Sequence, residues 1–141
     1  MWICYSPPSK EICIVGSRDE FRKLASIIRQ TQGKIQTNQT GSPVPYEQLL
    51  KAIVVESLPT RGVTFTVTND DQLSIAGDKT KMAILADNVQ IIAEADDVEG
   101  HWHVEYFPDH FFLAPESFPV VFEFSSSARN QRLSRASGVS W

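Results

Sequence analysis

The sequence predicts an α+β fold with two layers, in which two helices cover one face of a mainly antiparallel sheet. Two segments carry apolar residues at helical spacing, and several short segments alternate or are rich in β-branched residues. The turns between the middle strands are too short for parallel crossovers. We expect the order β-α-β-β-β-α-β-β in a single domain over residues 1–124. A flexible Ser/Arg-rich tail, not needed for binding, is expected over 125–141.

Two strand–helix units repeat with an offset of 61 residues. Strand residues 12–16 precede a helix expected over 17–32, and strand residues 73–77 precede a helix expected over 79–95. Each helix follows a Ser or Asp whose side-chain oxygen can accept from the free N–H groups of the first turn. Apolar residues at i, i+3, i+4 and i+7 give each helix one buried stripe. The caps are Ser17 and Asp78, and the stripes are Phe21, Leu24, Ala25 and Ile28, and Met82, Leu85, Ala86 and Val89.

The chain between the two units supplies the middle strands. Residues 46–50 have the composition of a helix start, whereas residues 52–55 are β-branched and predict a strand. Residues 63–68 alternate cleanly between polar and apolar side chains. The polar turn 69–71 then leads into the strand of the second unit, which predicts a β-hairpin.

All three histidines lie within residues 101–110, in a segment that alternates polar and apolar residues. This alternation predicts a strand with one buried face and one solvated face, because successive side chains point to opposite faces. We expect the last strand, over residues 119–124, to add Glu123 to the solvated face beside Thr64, Thr66, Thr68 and Ser74. The histidine strand would turn Trp102, Val104 and Tyr106 inward and His101, His103 and Glu105 outward.

The outward row has two interpretations. His101 and His103 could form half of a zinc site, but zinc needs a third protein ligand. Glu105 lies about 6–7 Å beyond His103 along the strand, so Asp109 or His110 would have to return from the following loop. The alternative is a solvated polar row. We favour the solvated row and expect no bound zinc and no other cofactor.

The residues predict no catalytic site. No Ser lies in a Gly-x-Ser-x-Gly elbow, and the turns at Gly16 and Gly77 lack the further glycines of a phosphate loop. Cys13 lies between Ile12 and Ile14 on a strand, which indicates a structural thiol. The residues alone therefore name no reaction.

The charge distribution bounds the partner class. The chain has 13 basic and 17 acidic residues, and three of the basic residues lie in the tail, so residues 1–124 carry a net charge of −7. Such an acidic body is a poor nucleic-acid binder, because phosphate affinity comes from clustered Lys and Arg. It suits a basic protein partner, and a need for solubility alone explains the charge equally well.

The expected compartment is the cytoplasm. No apolar run approaches the roughly 18 residues of a membrane helix, so we expect no membrane association. The first residues lack the basic and apolar regions of a secretory signal. Cys4 and Cys13 form no disulfide framework and suit a reducing environment.

The loop over residues 107–119 is rich in aromatic residues and has no strand or helix period. It is either a contact site for another protein or a plug folded onto the edge of the core. For the first case, the candidate partner-binding residues are His101, His103, Glu105, Asp109, His110, Phe111 and Glu123.

The segment from Val63 to Phe124 resembles the immunity protein 32 family of bacterial polymorphic toxin systems. The resemblance is carried by residues 73–77, by 85–88, by the His-x-His-x-Glu-Tyr pattern at 101–106 and by Leu113–Ser117. It implies a non-enzymatic α+β domain that protects a bacterium by binding a cognate toxin domain, and it implies no particular binding residues.

These observations favour an immunity protein that occludes the active site or substrate channel of its toxin. A metal-dependent hydrolase using His101 and His103 is the first alternative. A non-enzymatic accessory subunit that docks a partner constitutively is the second. The sequence does not define the oligomeric state.

Overall fold

The computed structural model describes residues 1–131 and residue 133. Within them the chain forms nine strands, two α-helices and a short 3-10 helix at Ala128–Asn130. In chain order the elements are β1 (Trp2–Ser6), β2 (Glu11–Gly16), α1 (Arg18–Gln30), β3 (Gly33–Gln36), β4 (Gln48–Leu49), β5 (Ala52–Ser57), β6 (Thr64–Val67), β7 (Gln72–Gly77), α2 (Lys79–Ala93), β8 (His101–Val104) and β9 (Val120–Phe124).

The strands form two mixed sheets where the sequence predicted one. The first has the order β4-β1-β2-β9-β8, and the second has the order β3-β5-β7-β6. All neighbours are antiparallel except the pairs β2–β9 and β5–β7, which are parallel. The α+β class and the antiparallel majority are therefore confirmed. The single sheet is replaced by two, because side-chain alternation defines the faces of a strand but not its neighbours.

The two halves of the chain repeat one topology. Each half has a hairpin, a helix and a second antiparallel pair, namely β1-β2-α1-β3-β5 and β6-β7-α2-β8-β9. The last strand of each half pairs in parallel with the hairpin of the other half. Each sheet therefore takes strands from both halves, and the strand–helix repeat at an offset of 61 residues is present in the structure.

The helices form where their caps and stripes predict. The Ser17 side chain accepts from the Glu20 backbone N–H at 3.1 Å, and the Glu20 carboxylate accepts from the Ser17 N–H at 2.9 Å, which completes a capping box. Asp78 caps α2 by accepting from the Lys81 N–H at 2.8 Å. The helices pack against each other, and all the predicted stripe residues are buried. One hydrophobic core joins both stripes to apolar residues of both sheets.

Strand β1 was not predicted, and residues 46–50 form no helix. Four of the five residues of β1 are buried, so the strand lacks the alternation that marks a half-exposed strand. Residues 48–49 instead form β4, a two-residue edge strand on β1. Cys4 and Cys13 lie directly opposite each other in the β1–β2 pair.

The described part of the C-terminal segment packs against the rest of the chain. Ser127, Asn130 and Leu133 are buried, and Leu133 packs with Trp2, Cys4, Cys13, Val15 and Val121 in a second apolar cluster. This cluster lies on the face of β1 and β2 opposite Ile12 and Ile14, which belong to the main core. The expectation of flexibility for residue 132 and residues 134–141 lies outside the described residues. No helix in residues 1–131 is long and apolar enough to cross a bilayer.

Candidate functional site

Strand β8 presents the predicted histidine row to solvent. His101, His103 and Glu105 are exposed, while Trp102, Val104 and Tyr106 are half-buried and pack against the main core. The Trp102 ring meets the Phe124 ring edge-on, with 5.7 Å between centroids. The alternation therefore assigned the two faces of β8 correctly. Strand β8 pairs with β9 on one side and is an edge of its sheet.

The two histidines of the row are close neighbours. Their ring centroids lie 5.1 Å apart, with the ring planes nearly perpendicular. Across the part of the chain that the structure describes, no group of three or more His, Cys, Asp or Glu side chains could hold a metal ion. The absence of bound zinc stays a prediction.

The aromatic loop over residues 107–119 contains both a plug and an exposed part. Phe112, Leu113 and Ala114 are buried, and the loop exchanges backbone hydrogen bonds with Val63 beside strand β6. In contrast, 53% of Phe107 and 75% of Phe111 are exposed. The loop thus closes the edge of the second sheet while it holds two phenyl rings in solvent.

His110 organises the exposed part of this loop. Its Nδ1 accepts hydrogen bonds from the backbone N–H groups of Phe112 at 3.2 Å and Leu113 at 3.0 Å, and its ring contacts those of Phe107 and Phe112. Asp109 adopts a left-handed backbone conformation in the turn, which Asp tolerates better than most residues. His110 is therefore a loop-positioning residue as well as a candidate contact.

Partial burial lowers the pKa of His110 below its usual value. The unfolded chain therefore takes up the His110 proton at a higher pH than the folded chain, so the free energy of unfolding should fall as pH drops from about 7.5 to about 5.5. Urea unfolding of the wild type and of His110→Ala measures this, and the variant should lose part of the pH dependence. The matched control, the exposed His103→Ala, should keep it. Equal pH dependence in all three proteins would contradict this role of His110.

The structure corrects the position of Glu123. Its side chain is buried beneath the C-terminal segment, where it accepts from Asn130 Nδ2 at 3.0 Å and forms an ion pair with Arg129 at 3.0 Å. Both faces of β9 are covered, so Glu123 is not part of the solvated row. The open face is also divided, because Thr64, Thr66 and Ser74 lie in the second sheet and Thr64 is buried.

Cys13 is not an activated nucleophile. It is buried, and this burial, reinforced by the negative charge of Glu123, raises the pKa of its thiol. A buried thiol with a raised pKa remains protonated at neutral pH and is inert.

The acidic charge is concentrated in one part of the chain. Residues 82–128 contain nine acidic residues and no Lys or Arg, whereas residues 1–81 contain ten basic and eight acidic residues. Four of the nine, Asp87, Glu94, Glu116 and Glu123, form ion pairs with arginines. The other five have no ion-pair partner within the described residues, and they flank β8: Asp96, Asp97, Glu99, Glu105 and Asp109.

Comparison with known proteins gives one match. Residues 72–125 match the family model of Immunity protein 32. The matched immunity protein 32 segment covers less than half of the chain and runs from β7 through α2 and β8 to the end of β9. It contains the histidine row, the aromatic loop and all five unpaired acids. The resemblance predicted from the sequence is confirmed. No curated protein and no solved structure matches the chain.

Sequence reasoning missed two features of this surface. Phe107 is exposed beside the candidate residues but was considered only as part of the loop. The absence of Lys and Arg over residues 82–128 was visible in the sequence, but it was averaged into the charge of the whole body. A charge count in shorter windows would have found it.

Proposed function

We propose that this chain is an immunity protein that binds a cognate bacterial toxin domain and neutralises it by occlusion. The observation that carries the proposal is the match of residues 72–125 to the immunity protein 32 family. An immunity protein of this kind needs no catalytic group of its own, since binding alone blocks the toxin.

The charge of the matched segment supports a basic partner. Acidic groups that form no ion pair with a basic residue of their own chain keep their charge available to attract a basic protein, and such attraction raises the rate of association. Asp96, Asp97, Glu99, Glu105 and Asp109 form such a set around β8. A toxin domain that acts on a nucleic acid or another polyanion needs a basic active-site surface to bind it. An acidic inhibitor can cover such a surface.

The exposed rings of Phe107 and Phe111 support the same surface as the contact. Large aromatic side chains supply much of the binding energy at protein interfaces when a partner buries them. We therefore propose that the contact comprises the exposed row of β8, namely His101, His103 and Glu105, together with Phe107, Asp109 and Phe111.

Co-expression tests the proposed function. The toxin domain encoded beside this chain should arrest growth when it is expressed alone, and co-expression of this chain should restore growth. The tagged toxin domain should also co-purify with the chain. The control for a loss of protection through poor folding is the Leu85→Ala variant, which weakens the core and leaves the surface side chains unchanged. If the intact chain neither restores growth nor co-purifies, the immunity function is wrong and an accessory-subunit role becomes the better account.

A further inference from the structure

Within the described residues, β8 has a strand neighbour on one side only, and the following proposal about this edge rests on the proposed function. We propose that the partner adds a basic, extended segment to this edge, so that the five-stranded sheet continues into the toxin domain. An edge strand offers a row of backbone N–H and C=O groups to an incoming strand, and such addition is a recurrent mode of recognition.

The four sheet edges of the molecule are not equivalent. The edge formed by β4 is only two residues long. The edge formed by β6 is covered, because the aromatic loop hydrogen-bonds to Val63 and Phe65 along it. The two remaining edges are β8 and β3, and among the described strands nothing pairs with the second side of either.

The two remaining edges, β8 and β3, differ in the charge around them. Strand β8 lies within the acidic stretch 82–128 and between its five unpaired carboxylates. Strand β3 carries Lys34 and lies in residues 1–81, where basic residues are in excess. A basic segment is therefore attracted to β8 and not to β3. The same charge disfavours a second copy of this chain at β8, since two acidic edges would repel.

The side chains of β8 define what the added strand should look like. Its solvated face presents His101 and His103, with the exposed Glu105 directly after the strand, and its other face presents the half-buried Trp102 and Val104. Side chains of paired strands meet on the same face. The added segment should therefore alternate Lys or Arg with apolar residues, and the apolar residues should extend the row formed by Trp102 and Val104. Phe107 and Phe111 then contact the partner beyond the end of the strand.

Residue-resolved hydrogen exchange on the complex with the adjacent toxin domain tests strand addition. Every second amide over residues 101–105 points away from β9. In the complex these amides should exchange at least about tenfold more slowly than in the free protein. The amides of β3 are the internal control and should not change. If the complex forms and the outward amides of β8 exchange at their free rate, strand addition is wrong although the immunity function stands. If no complex forms, both proposals are wrong.

A matched pair of charge reversals tests the sign of the partner. Asp96→Lys with Glu105→Lys changes the charge beside β8, and Glu56→Lys with Asp70→Lys makes the same change at exposed positions outside the acidic stretch. The first variant should weaken binding by about tenfold, mostly through slower association, and the second should change it by less than about twofold. Equal weakening would overturn the placement at β8. If the outward amides of β8 already exchange slowly in the free protein, and light scattering shows a dimer, the β8 edge binds a second copy of this chain instead of the toxin domain.

Discussion

Replacing Leu85 by alanine is expected to lower the free energy of unfolding by about 2–5 kcal/mol. Leu85 is fully buried between the helices and the sheets, so the substitution removes apolar contacts and leaves a cavity. Chemical denaturation with a two-state fit measures the change. The matched control is Ile91→Ala on the same helix, where 69% of the residue is exposed and the expected change is below about 0.5 kcal/mol. Similar losses in both variants would contradict the packing of α2.

Removing residues 126–141 is expected to lower the free energy of unfolding by more than about 3 kcal/mol, because it removes buried apolar contacts and uncovers the second apolar cluster on β1 and β2. The truncation deletes the Asn130 and Arg129 side chains that hold the Glu123 carboxylate, together with the fully buried Leu133. A truncated chain as stable as the full one would show that this segment contributes nothing.

The elements with strong local signals were predictable. The capping box at Ser17, the cap at Asp78 and the two apolar stripes located both helices to within two residues. The alternation in 63–68 and 101–106 identified two strands, and in 101–106 it also identified the two faces. Each of these signals depends only on neighbours in the sequence, which is why it can be interpreted without the fold.

The pairing of strands was not predictable in the same way. The parallel pair β2–β9 joins Ile12 to Val120, and no local pattern specifies so distant a partner. Strand β1 is covered on both faces and therefore has no alternation. The wrong placement of Glu123 on the solvated face also has a long-range cause. Its position in an alternating segment indicated a solvated face, but the C-terminal segment folds back and covers it.

The candidate surface was predicted in outline. His101, His103 and Glu105 lie in one exposed row, and Asp109 and Phe111 are exposed in the loop that follows. What the sequence did not resolve is the division of this loop, because exposed Phe111 and buried Phe112 are adjacent and chemically identical. In the structure Phe112 hydrogen-bonds to His110 and Val63, and its ring contacts that of His110.

Titration of the purified toxin domain with this chain shows whether binding alone neutralises the toxin. The activity of the toxin encoded beside this chain should fall linearly as the chain is added and should vanish at about one molar equivalent, as expected for tight one-to-one occlusion. The Asp96→Lys and Glu105→Lys double variant should need a higher concentration for the same inhibition. Full toxin activity in the presence of excess wild-type chain would show that this chain does not neutralise the toxin by binding.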